Sequence, residues 1–491
     1  MSLEKYFASF REKTIGRNQD FEGPFGEKKI IYADWVASGR LYQPIEDLLQ
    51  KEIFPFVANT HTETSTTGAT MNSALHQALC IIKDSVGANK NDVIISAGAG
   101  MTMLVNKFQR ILGLKIHERY QEQVKIENRP IVFVTHMEHH SNQTTWLETI
   151  AEVQLIPHTE DGKVDLEAFK ELIPRYTERE MKIAAVTSCS NVTGVFTPFH
   201  EIAEIMHQNE GFCFVDFACA APYISIDMHP KNSLQYLDAI YFSPHKFLGG
   251  PGATGVLIFN KDLYVNTVPD SPGGGTVDWT NPWGGHKYIE DIEAREDGGT
   301  PAFLQSIKTA LCINLKHEMG VDNILKRESE LHAIVWDRIN AIENVHVLAN
   351  NITERLNVYS FYIEDLHYNL AVQLLNDKFG IQTRGGCSCA GTYGHYLLDV
   401  DSEFSRTITN NINKGDLTLK PGWVRMSLHP TMTNEEVGLI ISSIEELAEK
   451  HKQWAEDYVY KKETNEFFYK HEDYESKNKE RANIWFNETL K

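Results

Sequence analysis

Short apolar runs alternate with amphipathic stretches between about residues 29 and 259. Continuous apolar strands that alternate with helices are typical of a sheet whose two faces are both covered. The pattern therefore predicts an α/β fold with a parallel or mixed sheet. The strand-like runs are Ile30–Ala33, Asp92–Ser96, Ile131–Thr135, Val153–Ile156, Ile183–Ser188, Phe212–Phe217, Ala239–Ser243 and Gly255–Phe259. Helical stretches separate most of them, as at Asn72–Val86, Thr102–Leu112, Leu166–Leu172 and Phe199–His207.

Beyond Ala302 the pattern changes to long helices and a few short strands, which predicts a smaller α+β domain. We expect an N-terminal arm over 1–28, a large α/β domain over 29–302, the small domain over 303–452, and a charged, aromatic tail over 453–491 that packs as helix on the surface. The predicted elements of the small domain are helices Phe303–Glu318, Asn323–Ile342, Leu366–Phe379 and Asn434–Lys452, and strands Val345–Leu348, Asn357–Tyr362 and Trp423–Ser427.

The composition restricts the class and the location of the protein. With 491 residues, 42% hydrophobic and 23% charged, the chain is typical of a globular enzyme with an ample core. A net charge of −20 argues against nucleic acid or an anionic membrane as a partner. The charged N-terminus and the absence of a long apolar run predict neither a signal peptide nor a membrane span. Seven cysteines, an odd and small number, favour reduced thiols and a cytoplasmic location.

Two candidate catalytic side chains follow predicted strands. Lys246 comes after the apolar run Leu237–Phe242 and before a glycine-rich turn, and a desolvated lysine is a nucleophile for aldehydes. Asp216 ends another run, where a buried carboxylate needs a cationic partner such as a protonated pyridine nitrogen. Ligands of such sheets bind at the carboxyl ends of the strands. The alternatives are a surface lysine and an aspartate that caps a turn.

A phosphate site is predicted at Gly98-Ala99-Gly100, because small residues between a strand and a helix expose backbone N–H groups. Thr102, Ser243 and His245 can add hydrogen bonds. No nucleoside triphosphate is indicated, since the chain has no G-x-x-x-x-G-K-[ST] motif. His139 also follows a strand, and it is either part of a polar turn or an imidazole that stacks on a planar ring and moves protons.

Six short motifs occur in a fixed order along the chain. They are E-H-H-x-N at Glu138–Asn142, S-N-x-x-G at Ser190–Gly194, V-D at Val215–Asp216, S-x-H-K at Ser243–Lys246, G-T-P at Gly299–Pro301 and R-x-S at Arg425–Ser427. This ordered set resembles the class V aminotransferase fold family. Within that family it is most similar to the cysteine desulfurase and selenocysteine lyase branch. The resemblance covers roughly Ile30 to Ala448, and it implies the fold type I of pyridoxal-phosphate-dependent transferases.

The resemblance also implies roles for residues around the cofactor. Lys246 would hold pyridoxal 5'-phosphate covalently, and Asp216 would pair with the pyridine nitrogen. His139 would stack on the ring, and Asn191 would orient the ring oxygen or the substrate carboxylate. At the position of Cys219 the family usually has glutamine, so a weaker hydrogen-bonding group would face the ring oxygen.

Further implied roles concern the phosphate, the substrate and the oligomer. Ser243 and His245, with the backbone of Gly98–Gly100, would hold the phosphate, although the family often has threonines where this chain has Ala99 and Gly100. Thr300 would reach the phosphate of a partner subunit, which implies a homodimer. Arg425 would clamp the substrate carboxylate, which suits the planar fork of a guanidinium.

A cysteine loop lies in the segment Thr383–Gly391. In desulfurases a loop cysteine that precedes alanine attacks the substrate sulfur and carries it as a persulfide, and Cys389 matches that position. Two loop thiols without a role are the alternative, and a C-x-C-x5-H zinc site formed by Cys387, Cys389 and His395 is disfavoured because no second ligand pair is evident. We therefore expect no metal.

The sequence thus predicts a homodimeric, cytoplasmic pyridoxal-phosphate enzyme. Its expected reaction removes sulfur or selenium from an amino acid and leaves alanine and a persulfide on Cys389. A sulfur-acceptor protein is a candidate partner. Alternatives with the same cofactor are a C–S lyase, an epimerase or an aminotransferase. A non-catalytic sulfur-carrier or binding protein with the same fold is the alternative from another class.

Overall fold

A computed structural model describes residues 2–60 and 62–487 of the chain. Strands and helices are numbered in chain order. The strands are β1 Asp20–Gly23, β2 Gly26–Lys29, β3 Ile31–Tyr32, β4 Asp92–Ala97, β5 Ile131–Val134, β6 Glu152–Leu155, β7 Lys182–Thr187, β8 Phe212–Asp216, β9 Ala239–Phe242, β10 Gly255–Asn260, β11 Val277–Thr280, β12 His286–Tyr288, β13 Val345–Val347, β14 Val358–Ile363, β15 Ile381–Gln382, β16 Arg384–Gly386, β17 Trp423–Ser427, β18 Tyr458–Lys461 and β19 Glu466–Tyr469.

The helices surround these strands. They are α1 Leu3–Tyr6, α2 Ala8–Glu12, α3 Gln43–Leu48, α4 Thr66–Asp84, α5 Met101–Ile111, α6 Glu118–Gln121, α7 His140–Leu147, α8 Leu166–Leu172, α9 Phe199–Gln208, α10 Ile292–Glu296, α11 Phe303–Met319, α12 Val321–Asn340, α13 Tyr368–Phe379, α14 Gly391–Leu397, α15 Ser402–Asn413, α16 Asn434–Ala455 and α17 Tyr474–Asn487. Short 3₁₀ or π turns occur at Leu49–Ile53, Phe54–Phe56, Ile173–Tyr176, Pro244–Lys246 and Lys261–Leu263.

A seven-stranded sheet of order β4-β10-β9-β8-β7-β5-β6 forms the centre of the large domain. Strand β10 is antiparallel to both of its neighbours, and all the other pairs are parallel. The prediction of a mainly parallel sheet in an α/β fold is therefore confirmed.

Both faces of this sheet are buried, which explains the continuous apolar runs in the sequence. Along β5, Ile131 and Phe133 face one core layer, while Val132 and Val134 face the other. Helix α5 covers the second face with Phe108 and its apolar neighbours. Because parallel strands end at one edge, the residues that follow β5, β7, β8 and β9 meet there.

One predicted strand lies outside the central sheet. The run Ile30–Ala33 contains β3, which pairs in parallel with β15 next to the small domain. Asp34, the residue after this run, forms an isolated parallel β-bridge with Ser427 at the end of β17. A short apolar run in the sequence does not specify its pairing partner, and here the partner comes from the distant C-terminal half.

The small domain has a four-stranded antiparallel sheet of order β13-β14-β17-β16. Helices α12, α13 and α16 pack on it, and buried aliphatic positions such as Val335, Leu374 and Ile441 fill the layer between them. Helices α14 and α15 form in the polar segment between Cys389 and Arg425.

The C-terminal tail differs from the helix that the sequence predicts. The end of α16 reaches Ala455, a hairpin of β18 and β19 follows, and α17 is the next helix. Aromatic residues alternate on the two strands and pair across them: Tyr458 lies 5.6 Å from Tyr469 and Tyr460 lies 4.9 Å from Phe467, between ring centroids. Such cross-strand pairs stabilise a hairpin. Between residues 2 and 487, leaving out His61, no helix is long and apolar enough to cross a membrane.

Candidate active site

A cleft of about 170 Å³ lies where the strand ends of the large domain meet the small domain. Most of the predicted site residues border it, although they are far apart in sequence. Its lining comprises Val36, Ala37, Met101, Thr102, His139, Ser141, Thr187, Cys189, Asn191, Asp216, Ala218, Cys219, Ser243, His245, Lys246, Arg384, Ser388 and Arg425.

Lys246 reaches the cleft from a 3₁₀ turn, Pro244–Lys246, directly after β9. This turn packs tightly against neighbouring backbone, since a Cβ atom on Gly250 would lie 1.9 Å from the Pro244 carbonyl oxygen. The Gly39 N–H donates to the His245 carbonyl at 2.8 Å and holds the turn from the other side. Removal from water lowers the pKa of Lys246, so a larger fraction of its side chain is the nucleophilic free amine than in an exposed lysine.

Asp216 is the last residue of β8 and is buried. Burial raises its pKa to about 6, although the Ala218 N–H donates to Oδ1 at 2.8 Å and Lys246 adds a positive charge. A carboxylate in this position is stabilised by any further cation that enters the cleft.

His139 lies directly before α7 and caps that helix, since the Ser141 N–H donates to Nδ1 at 3.1 Å. Burial and the charge on Lys246 lower its pKa to about 3. The ring is therefore neutral at physiological pH. A neutral imidazole that accepts through Nδ1 carries its proton on Nε2, which is then free to donate.

Glu138, the acidic residue before the two histidines of the motif, is a buried hydrogen-bond acceptor. Its carboxyl group accepts from Asn142 Nδ2 at 2.7 Å, Thr135 Oγ1 at 2.6 Å and the Thr187 N–H at 2.9 Å. These bonds tie the ends of β5 and β7 to the first turn of α7. The bond to Asn142 holds the start of α7, the helix that His139 caps. Burial raises the pKa of Glu138 to about 8.

The predicted phosphate site is only partly assembled from the expected residues. Gly100 precedes α5, and the Met101 N–H donates to Ser243 Oγ at 2.9 Å, which joins the helix N-terminus to the Lys246 turn. His245 lines the cleft beside it. The Gly98 carbonyl accepts from Thr254 Oγ1 at 3.0 Å, outside the cleft lining, and Ala99 is exposed.

Thr102, which the sequence analysis named as a residue that can add hydrogen bonds at the phosphate site, lies at the cleft. It lines the cleft, and its Oγ1 lies 2.7 Å from Ser141 Oγ. Two hydroxyls therefore stand at the N-terminal ends of α5 and α7, next to Ser243. An anion at this corner would meet these hydroxyl groups at the positive end of the α5 helix dipole.

Arg425 is buried in β17 and points at a partner that sequence reasoning missed. Its Nη2 lies 2.7 Å from Asp34 Oδ1, and its Nη1 donates to the Asn191 carbonyl at 3.2 Å. Asp34 also lies 3.3 Å from Arg384 Nε. Two guanidinium groups and one carboxylate thus leave a net positive charge at this side of the cleft, which favours a substrate carboxylate.

The cysteine loop is fixed against the cleft by several hydrogen bonds. Asn191 Nδ2 donates to the Ser388 carbonyl at 2.7 Å, and the His140 N–H donates to the Cys389 carbonyl at 2.7 Å. The Gly391 N–H donates in turn to His140 Nε2 at 2.9 Å. Ser388 and Cys389 both have positive φ values, 50° and 58°, which non-glycine residues adopt rarely. The Cys389 side chain is exposed, whereas Cys387 is half-buried.

The structure places the remaining predicted residues as follows. Cys219 is buried in the cleft wall, with its Sγ 3.8 Å from Cys189 Sγ. Thr300 is exposed in the loop between α10 and α11 and lies outside the cleft lining. His395 hydrogen-bonds to the Gly391 carbonyl and to Ser405 Oγ.

Three residues at the site were not predicted: Cys189 and Arg384, which line the cleft, and Asp34, which pairs with Arg384 and Arg425. Asp34 and Cys189 each follow a strand-like run directly, and this position in the sequence could have identified them as candidate site residues. Arg384 was visible in the cysteine loop segment, but no spacing rule connected it with the cleft.

The donor set of the cleft fits pyridoxal phosphate. The cleft is lined by a lysine with a lowered pKa, a buried carboxylate and the hydroxyl groups of Thr102, Ser141 and Ser243, which can bind an anion. Among the residues that the structure describes, Asn191 Oδ1 and Arg425 Nε are buried at this cavity without a hydrogen-bond partner. Buried polar atoms without partners indicate a ligand that completes their hydrogen bonds.

Comparison with known proteins identifies the class. The profile of the aminotransferase class-V family matches residues 31–440, so the chain belongs to this family, as its motifs predicted. It is similar to a probable cysteine desulfurase of Staphylococcus aureus (strain N315), with 28% identity over 368 residues, 74% of this chain and 84% of the relative. A probable cysteine desulfurase of Halalkalibacterium halodurans is 27% identical over 365 residues, with 74% and 84% covered.

Solved structures agree with the fold. An apo cysteine desulfurase of Thermococcus onnurineus NA1 superimposes with a TM-score of 0.69 at 22% identity and covers 86% of this chain and 95% of its own. The cysteine desulfurase CsdA of Escherichia coli superimposes with a TM-score of 0.69 at 19% identity, with 90% and 98% covered. The predicted fold and the predicted likeness to cysteine desulfurases are both confirmed.

Proposed function

We propose that this protein is a pyridoxal-phosphate-dependent cysteine desulfurase that acts on cysteine, selenocysteine or a related amino acid. The observation that carries the proposal is that Lys246, Asp216 and Arg425 line one cleft. Ser388 lines the same cleft, and the exposed Cys389 is the next residue in the chain. Membership of the class-V family and the similarity to cysteine desulfurases support it.

The cofactor would be held by residues of the large domain. Lys246 would bind it covalently, and Asp216 would pair with its ring nitrogen. His139 and Cys219 would contact the ring, and Ser243 with the α5 N-terminus would bind its phosphate. The bound group supplies an aldehyde that bonds to amines and a cationic ring that accepts electrons.

Substrate would enter between the two domains. Arg425 and Arg384 attract its carboxylate. The free Oδ1 of Asn191 can accept a hydrogen bond from a donor group of the bound ligand. The free Lys246 amine would accept the proton from the α-carbon of the substrate and hold it for return to the product.

Cys389 performs the sulfur step. Its thiolate attacks the substrate sulfur, the carbon–sulfur bond breaks, and the bonding electrons stay with the substrate carbon, which takes up a proton to give alanine. The sulfur remains on Cys389 as a persulfide. Because Cys389 is exposed, a sulfur-acceptor protein or a small thiol can collect it. A cytoplasmic location fits the seven unpaired thiols.

Product analysis tests this proposal. The reconstituted protein is incubated with cysteine and with selenocysteine in the presence of dithiothreitol, which reduces the product bound to Cys389. Alanine, sulfide or selenide, pyruvate and ammonia are then measured. Alanine with equimolar sulfide or selenide supports the proposal. Pyruvate with ammonia would assign a C–S lyase instead, and a protein that binds no cofactor would assign a binding role.

Replacing Asp216 by asparagine is expected to reduce turnover on the order of 100-fold at saturating cofactor, because the ring nitrogen loses its anionic partner. Steady-state alanine formation measures the change. The matched control is Asp238→Asn, which alters an equally buried aspartate that pairs with His207. Full turnover in Asp216→Asn would mean that the carboxylate only caps a turn.

The same variant has a second readout in the cofactor-free protein. The pKa of Asp216 rises from 3.8 to about 6 on folding, so its ionisation destabilises the fold above pH 6 by about 3 kcal/mol. Asp216→Asn should therefore unfold at a higher temperature than the native protein at neutral pH. The difference should disappear as the pH falls from about 6 to about 4, where the native carboxyl group is protonated in both states.

A homodimer with shared sites is expected from the G-T-P motif, whose Thr300 is exposed and lies outside the lining of its own cleft. Analytical ultracentrifugation of the active protein should give a dimer. Thr300→Ala should weaken cofactor binding on the order of tenfold, the effect of one hydrogen bond to a charged group. Thr280→Ala, an exposed threonine in β11, is the control. An active monomer, or unchanged cofactor affinity in Thr300→Ala, would contradict the shared site.

A further inference from the structure

Two thiols contact each other in the wall of the cleft. The Sγ atoms of Cys189 and Cys219 lie 3.8 Å apart, and both side chains are buried. A disulfide joins its sulfur atoms at about 2.05 Å. Closing the gap therefore needs a movement of about 1.8 Å, which two side chains can share.

The two cysteines stand on neighbouring strand ends. Cys189 follows β7 and Cys219 follows β8, and these strands are parallel partners whose last residues, Thr187 and Asp216, are in register. A covalent link between the two thiols would join segments that the sheet already holds side by side. Formation of the link leaves the strand pairing unchanged.

The surroundings make the two thiols unequal. The Cys189 thiol and the positive charges of Lys246 and Arg425 lower the pKa of Cys219. Burial raises the pKa of Cys189. Because the thiolate is the reactive form, Cys219 is the attacking thiol and Cys189 the resolving thiol. Both thiols line the cleft, and the cleft extends to the half-exposed side chain of Arg384, which gives a small oxidant a route from solvent.

We propose that Cys189 and Cys219 form a dithiol modification site that a hydroperoxide oxidises to a disulfide. The Cys219 thiolate attacks one peroxide oxygen, the O–O bond breaks, and hydroxide leaves while Cys219 becomes a sulfenic acid. The Cys189 thiol then attacks the Cys219 sulfur, the S–O bond breaks, and water leaves as the disulfide forms. The two thiols lose two electrons, and hydrogen peroxide with the two thiol protons becomes two molecules of water.

This site goes beyond the proposed function and does not depend on it. The proposed sulfur-carrying role belongs to the exposed Cys389, whereas the dithiol forms part of the cleft wall, which Lys246 also lines. Its oxidation removes the Cys219 thiol from the position that faces the cofactor. Disulfides in cytoplasmic proteins are typically of this reversible, redox-responsive kind.

The test uses the full-length protein, with and without pyridoxal phosphate, and hydrogen peroxide as the oxidant. The treated protein is denatured in an alkylating reagent, digested without reduction and analysed by mass spectrometry. We expect one linked peptide pair that joins Cys189 to Cys219 and separates on addition of dithiothreitol. Both free thiols should disappear together, in equal amounts.

Three variants make the result specific. Cys189→Ala should remove the link and leave Cys219 as a sulfenic acid that dimedone traps. Cys219→Ala should remove the link as well, and it serves if the first variant does not fold. Cys213→Ala changes another buried thiol of the large domain, which contacts the Phe199 carbonyl, and should leave the link intact.

Two results would overturn the proposal. In the first, Cys389 is oxidised while Cys189 and Cys219 both remain open to alkylation after denaturation. In the second, Cys219 is joined to a cysteine other than Cys189. Neither result would touch the desulfurase assignment, which is tested by the alanine and sulfide products of the unoxidised protein.

Discussion

The Lys246→Ala variant is expected to lose the borohydride-reducible link to pyridoxal phosphate and at least on the order of 1,000-fold in turnover. Lys246 would supply both the covalent attachment and the base for the α-proton, and positioned proton transfer alone contributes about 10² to 10⁴. Reduction with borohydride followed by peptide mapping measures the link. Alanine formation from cysteine measures the turnover.

The control for this variant is another lysine with little exposure. Lys308 is buried on α11 and forms an ion pair with Glu46 at 2.7 Å, outside the cleft lining. Lys308→Ala should keep the reducible link at Lys246. A cofactor that remains covalently reducible in Lys246→Ala would assign the attachment to another side chain.

The second large effect is expected from Cys389→Ser. A serine hydroxyl does not accept the substrate sulfur, so sulfide release should fall to background, a loss on the order of 1,000-fold. The cofactor should still bind, and its absorption spectrum should still change on addition of cysteine, because Lys246 and Arg425 are untouched. Stopped-flow spectra and sulfide assays measure the two steps separately.

Cys387 provides the matched control, since it lies two residues away in the same loop and is half-buried. Cys387→Ser should retain sulfide release. Position explains the difference: Ser388 lines the cleft, and hydrogen bonds from Asn191 and His140 fix the backbone on either side of Cys389. Full activity of Cys389→Ser would favour the C–S lyase, epimerase or aminotransferase alternatives.

The strand ends were predictable because buried parallel strands read as continuous apolar runs. Asp216, Lys246 and His139 each follow such a run, and the structure brings all three to one cleft. Asn191 also arrives there from the end of β7. Their arrangement follows from local sequence signals and from the rule that ligands bind at the carboxyl edge.

Contacts between distant segments were not predictable in the same way. The pairing of Asp34 with Arg425 depends on β3 joining the small domain, and no local pattern contains that information. The contact between Cys189 and Cys219 depends on the register of β7 and β8. The hairpin of the tail depends on aromatic pairs across two strands, which a helical interpretation of the same residues overlooks.

The phosphate site expected at Gly98–Gly100 stays a prediction, and the structure shows how its residues are placed. The turn before α5 was predicted from its glycines, and Gly100 does stand beside Ser243, whose Oγ would lie 3.2 Å from a Cβ atom added there. Ala99, in the same turn, is exposed. Small residues predict that backbone is accessible, but they do not predict which N–H groups face the cavity.

The most direct test of the account is the location of sulfur after a single turnover. The reconstituted protein is mixed with a limiting amount of cysteine, quenched with an alkylating reagent, and its peptides are analysed by mass spectrometry without reduction. The account predicts one additional sulfur atom on the peptide that contains Cys389, together with one alanine for each substrate consumed. An unmodified Cys389 accompanied by pyruvate and ammonia would contradict it.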